Sequence, residues 1–107
     1  MRKCTLSATV ILLIAFPAHS FNMQNLEVAE NLGSLLASED LCGLNYNLDA
    51  IDAYVDSNVD HSDMGFAGDL TGFIAMSEMM LDSHSESARR AHCRAIEGTA
   101  RQHGFID

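Results

Sequence analysis

Positive charge is what this chain has least of: six Lys and Arg stand against fifteen Asp and Glu in 107 residues, a formal net charge of -9. Phosphate binding draws its affinity from clustered Lys and Arg, so the scarcity argues against nucleic acid as a partner. Low-complexity sequence is also lacking, and 48% hydrophobic residues suit a folded chain rather than a disordered one. The length holds one small domain. Residues 21–107 contain no apolar run approaching the roughly 20 residues of a bilayer span, so no stable membrane insertion is expected of them. Alternating apolar and polar residues are missing as well, which argues against strands.

What is present begins with an N-terminal address. Met1-Arg2-Lys3 is positive, Leu6 to Phe16 is apolar, and Pro17-Ala18-His19-Ser20 is a short exit with small residues at Ala18 and Ser20. This order reads as a secretory signal peptide over residues 1–20, cleaved after Ser20 and taking Cys4 with it. The expected destination is an oxidising compartment reached by secretion. Residues 21–107 then form a single helical domain with four Arg, no Lys and a net charge of -11, since Arg2 and Lys3 depart and every acid stays. All four cations, Arg89, Arg90, Arg94 and Arg101, lie in the last segment. That segment either packs among acidic helices or docks an acidic partner, while the acidic remainder suits a basic protein partner.

Two cysteines survive cleavage, Cys42 and Cys93, and an even count in an oxidising compartment implies a disulfide. With only two thiols the connectivity is forced. Closing a loop of about fifty residues contributes roughly 4 kcal/mol in the chain-entropy description. A redox or metal pair would show close spacing such as C-x-x-C, whereas these two are 51 positions apart.

Apolar periodicity predicts about four helices, hence an all-α fold. Leu26, Ala29, Leu32, Leu36 and Ala37 define the first, from Asn25 to Leu41, loosened by Gly33 and stopped at Cys42-Gly43. Asn47 caps a second that carries Leu48, Ile51, Tyr54 and Val55 on one face and ends near Asn58. Met64, Phe66, Ala67, Leu70, Phe73, Ile74, Met80 and Leu81 mark the third and most apolar helix, with Met80 read as core. Its Gly65, Gly68 and Gly72 each cost about 1 kcal/mol relative to Ala, which points to close approach of a neighbouring helix over them. The fourth, from about Ser87 to Gln102, places Ala88, Ala91, Ala95, Ile96 and Ala100 inward and Cys93 on the flank, with Phe105-Ile106 folding back after Gly104.

Chemistry-bearing patterns are sparse. Asp56-Ser57-Asn58-Val59-Asp60 has the opening spacing of a calcium loop, but His61 and Ala67 stand where that loop needs Gly and a bidentate Glu. Histidines 61, 84, 92 and 103 form neither H-E-x-x-H nor H-x-x-x-H, and His92 and His103 are separated by about 16 Å of helical rise. No nucleophile elbow, phosphate loop or credible Cys-His pair occurs, so neither an enzyme nor a cofactor is expected. The candidate interaction surface is Met76 and Met79, whose flexible thioethers suit varied partners, together with Arg89, Arg90 and Arg94.

Leu41-Cys42-Gly43-Leu44 with Tyr46, the Asp63-Met64-Gly65-Phe66 turn and Ala91-His92-Cys93 resemble small exported two-cysteine helical proteins encoded in alphaproteobacteria. The resemblance implies a periplasmic protein of a host-associated bacterium, acting through protein contacts in stress tolerance or virulence, with no catalytic residues to transfer. In architecture alone the chain is similar to HdeA-type acid-stress chaperones. That similarity gives one alternative, in which protonation of the carboxylates and histidines loosens the helices and exposes an apolar face. A periplasmic metal-binding protein is the other.

Overall fold

A computed structural model describes residues 22–107, and the signal-peptide assignment at residues 1–20 lies outside the described residues. The fold is all-α, with α1 (Met23–Leu41), α2 (Leu48–Asn58), α3 (Phe66–Asp82) and α4 (Glu86–Gln102), and the Cys42–Cys93 disulfide joins the end of α1 to the middle of α4.

Side chains chosen for hydrogen bonding set the helix starts. The oxygens of Asn22, Asn47 and Ser85 accept from the backbone N–H groups of Asn25, Ala50 and Ala88, satisfying donors that have no intrahelical partner. No side chain caps α3, and the turn that leads into it is held instead by Asp63, which accepts from the N–H of the cap residue Gly65 at 2.9 Å.

Both long terminal helices stop in the same way. After α1, Gly43 takes φ 64° and lets Leu44 N–H reach the Glu39 carbonyl at 2.9 Å; after α4, Gly104 takes φ 76° and Phe105 N–H reaches the Ala100 carbonyl at 2.9 Å. A residue with a Cβ would be strained at either glycine. The second turn aims Phe105 back into the molecule, as expected, where it is fully buried against Tyr46 and Tyr54 and its carbonyl accepts from Asn47 N–H at 2.7 Å.

The core gathers along α1. Ala29, Leu32 and Leu35 are buried with Tyr46, Val59, Phe66, Ile96, Ala100 and Phe105. Asn25, also buried, ties the α2–α3 connection to the start of this axis: its side chain donates to Asp63 Oδ2 at 3.0 Å and accepts from Asp60 N–H at 3.1 Å.

Helix α3 lies along α1, and at Gly33 the contact leaves no room for a side chain. A Cβ there would stand 2.8 Å from Phe73 Cβ and 3.3 Å from the Ile74 backbone nitrogen, so the absence of a side chain sets how near the two helices come. The close approach expected over Gly68 and Gly72 is not found, because both face open space. The small residue that matters is on the other helix of the pair.

Three further expectations are corrected. Met80 is 61% exposed rather than core, because α3 buries only the stripe that meets α1 and Met80 stands at its border. On α4, Ala88, Ala91 and Ala95 are exposed, and only Ile96 and Ala100 are buried, since no neighbouring helix covers its first turns. Leu48 and Met64, at the start of α2 and before α3, are also exposed.

Tyr46 seals the base of the core. Its hydroxyl donates to the Leu35 carbonyl at 2.8 Å, and its backbone N–H donates to Glu39 Oε2 at 2.6 Å. Burial, followed by the negative Glu39, pushes the phenol up from 10.0 to about 12. The unfolded chain therefore loses this proton first, so the contribution is intact below pH 10 and falls away as the pH rises towards about 12. Denaturant midpoints should decline across this window, and Tyr46→Phe should flatten the decline while lowering stability near neutrality by about 1 kcal/mol. The glycines give a second test. Gly33→Ala should lose about 1 kcal/mol, overpacking outweighing the gain in helix propensity, whereas Gly68→Ala and Gly72→Ala should each gain about 0.5–1 kcal/mol, all readable from urea midpoints.

Candidate functional site

Two places on the molecule combine accessibility with distinctive chemistry: a corner where α1, α3 and α4 meet, and the outward face of α3.

The corner follows from the disulfide and from a short connection. Ser38 lies one turn before Cys42 on α1 and His92 immediately precedes Cys93 on α4, so the bridge that joins the cysteines also brings these two side chains together. Ser38 is wholly buried, and its hydroxyl lies 2.7 Å from the Ser34 carbonyl and 2.8 Å from His92 Nε2. A carbonyl only accepts, so the single hydroxyl proton goes to Ser34 and the oxygen accepts from His92 Nε2–H. This fixes the His92 tautomer and leaves Nδ1 with the free lone pair. Burial, then the neighbouring His84, holds the His92 pKa below the ordinary histidine range, favouring the neutral ring.

The three-residue connection from α3 to α4 places His84 against His92, ring centroids 6.1 Å apart and edge to face. His84 Nδ1 is buried and has no hydrogen-bond partner among the described residues. Both rings, with Ser34, Ser77, Met80 and Leu81, line a cavity of about 170 Å³. Ser38 and His92 do not form a nucleophile and base, because the hydroxyl proton is committed elsewhere and the oxygen is sealed from any substrate.

The face of α3 turned away from α1 is the second place. Phe66, Leu70, Phe73, Ile74, Ser77 and Leu81 make the inward stripe. Opposite them, Gly68, Gly72, Ala75, Met76 and Met79 are all exposed and recur at three- and four-residue steps, with Asp69, Glu78 and Asp82 alongside. Met76 is 56% and Met79 76% exposed. Thus the candidate methionines do stand at the surface.

The remaining candidates divide between elements. Arg89, Arg90 and Arg94 are exposed on α4, where Arg90 approaches Glu86 at 3.8 Å and, among the described residues, Arg89 and Arg94 form no ion pair. Arg101 is bound to Glu97 at 2.9 Å. The arginines and methionines therefore occupy two different helices. The calcium-like run is taken apart by structure: Asp56 and Asn58 belong to α2, Asn58 donates to the Tyr54 carbonyl, and Asp60 accepts from the backbone N–H and hydroxyl of Ser62. Those bonds, backbone first, hold the Asp60 carboxyl below the usual carboxylate range. His61 sits 3.9 Å from Asp56 in solvent, and His103 stacks on Phe105. Among the described residues no three His, Cys, Asp or Glu side chains converge as a metal site.

The pairing of His84 with His92 is the feature that sequence periodicity misses. The two lie on different elements, so a search for spacing along one helix does not join them. The available signal was adjacency: one histidine beside the disulfide and the other in the turn that returns the chain towards it.

No family model matches the chain, and no curated protein or solved structure is detectably similar to it. Among the described residues, no helix is long and apolar enough to cross a membrane.

Removing the hydroxyl at the corner should leave a buried imidazole N–H without its acceptor. Ser38→Ala is expected to cost about 1–3 kcal/mol in urea unfolding and to free the His92 ring to exchange tautomers, visible in its nitrogen chemical shifts. His84→Ala should be milder.

Proposed function

We propose that the protein is an exported interaction protein that docks a protein partner through the outward face of α3. The observation that supports this most is the cost written into that face: Gly68 and Gly72 lower helix propensity yet face open space, so no neighbour within the chain compensates for them. A partner whose backbone comes close over the two glycines would supply the missing contact. Beside them Ala75, Met76 and Met79 offer a shallow apolar surface whose thioethers repack around different shapes.

The border chooses the partner's charge. Asp69, Glu78 and Asp82 flank the strip, and no Lys or Arg lies between residues 22 and 88. The fitting partner is a helix with an apolar stripe edged by Lys or Arg. Acidic residues also speed its encounter at low salt, an advantage that fades as salt screens them. The setting we infer is the periplasm, after removal of residues 1–20 as the sequence suggests.

The test is affinity capture from the periplasm with the disulfide intact, comparing wild type with Met76→Glu/Met79→Glu and with Gly72→Ala. Both positions are exposed, so the double variant should melt within about 0.5 kcal/mol of wild type and lose its partner. Gly72→Ala should be more stable yet bind more weakly. Partners retained by both variants would reject the α3 face. Self-association through the same face would make a second copy the occupant, and client protection seen only in acid would favour the chaperone alternative.

A further inference from the structure

The corner cavity holds a donor set that the docking face does not use. Its lining includes two imidazoles, His84 and His92, and one thioether, Met80, with no carboxylate or thiolate. Both cysteines of the described chain are spent in the disulfide. Each imidazole has a nitrogen without a protein partner: His84 Nδ1 is buried and unpaired, and His92 Nδ1 is left with its lone pair because Nε2–H is donated to Ser38. A ligating histidine whose other nitrogen is fixed by a hydrogen bond is the usual outer-shell arrangement of a metal site. Here Ser38, itself anchored on the Ser34 carbonyl, supplies it.

The spacing is right for one ion. A bound imidazole nitrogen stands about 2.0 Å from the metal with its ring centre about 1.2 Å farther, so two such rings sharing an ion have centroids at most about 6.4 Å apart. The observed separation is 6.1 Å, within that limit. Two imidazoles this far apart leave room for a third, weaker donor from the side. The donor types select the ion. Carboxylate oxygens, on which calcium, magnesium and manganese sites are built, are missing from a lining whose side-chain oxygens are the Ser34 and Ser77 hydroxyls, and neutral nitrogen with a soft thioether selects monovalent copper. Met80, 61% exposed, completes the set from the border of α3, where it lines the cavity.

We propose that His84, His92 and Met80 form a binding site for one Cu(I) ion at the junction of α1, α3 and α4. Binding is a ligand exchange without electron transfer: the ion arrives reduced, its carrier ligands leave, and two imidazole nitrogens and a thioether sulfur replace them.

The experiment is competition for Cu(I) between the oxidised protein and a coloured bicinchoninate chelator, with ascorbate keeping copper reduced and a thiol assay confirming that the disulfide survives. Wild type should withdraw one ion per chain. His84→Phe, which keeps the edge-to-face ring, and Met80→Leu, which keeps the volume, should each weaken binding by about tenfold or more without lowering the melting temperature beyond a few degrees. Met76→Leu and Met79→Leu should bind like wild type. With Ag(I) as a redox-silent stand-in, the Met80 methyl resonance should shift and those of Met76 and Met79 should not. Failure of wild type to draw Cu(I) from the chelator overturns the proposal, as does unchanged binding by both His84→Phe and Met80→Leu, or uptake of Zn(II) in preference to Cu(I).

Discussion

The bond between Cys42 and Cys93 is the constraint on which the rest of the molecule depends. Helix α4 brings little apolar surface of its own, only Ile96 and Ala100 being buried, and its first turns face solvent. Burial of two side chains, one of them Ala, cannot outweigh the cost of ordering seventeen residues, and a covalent tether changes that balance by removing freedom from the unfolded chain. The bridge fixes more than distance. Because Ser38 and His92 lie close to the two sulfurs in sequence, the geometry of the link becomes the geometry of a hydrogen bond, and through it the tautomer of an imidazole.

Helix α1 is the axis around which this is organised, and it treats its neighbours differently. Towards α3 it offers Gly33, so that contact is backbone to side chain and tight; towards α4 it offers Ser38, so that contact is polar and specific. Its N-terminal end receives the α2–α3 turn through Asn25, and its C-terminal end receives Tyr46. A single helix thereby positions α3 and α4 and anchors the segments on either side of α2. Two acidic residues enter this scheme as acceptors, Asp63 for the Asn25 amide and Glu39 for the Tyr46 N–H, while at helix starts Asp49, Asp69 and Glu86 favour the positive ends of the dipoles.

Much of this architecture was legible from residue order. Three-residue and four-residue apolar steps gave the four helices, Asn47 announced the start of α2, Gly43 and Gly104 announced two stops, and two thiols permitted one bridge. These signals are local or, for the disulfide, combinatorial. What sequence misassigned depends on which side of a helix finds a neighbour. Gly33 and Gly72 are equally small, yet only the first meets another backbone. Met80 shares the apolar character of Leu81, but a rotation of one residue takes it out of the contact with α1. Likewise the alanines of α4 follow the helical period without anything to pack against. The corner was illegible for a related reason, since His84 and His92 meet only after the chain has reversed direction between α3 and α4.

The Phe105 cluster carries a consequence for the order of assembly. Tyr46, Tyr54, His103 and Phe105 close on one another, and the Asn47 amide waits for the Phe105 carbonyl. Closing the base therefore joins residues far apart along the chain, from Tyr46 to Phe105, and a contact of that separation rewards the chain only after the segment between has been ordered, which slows its formation.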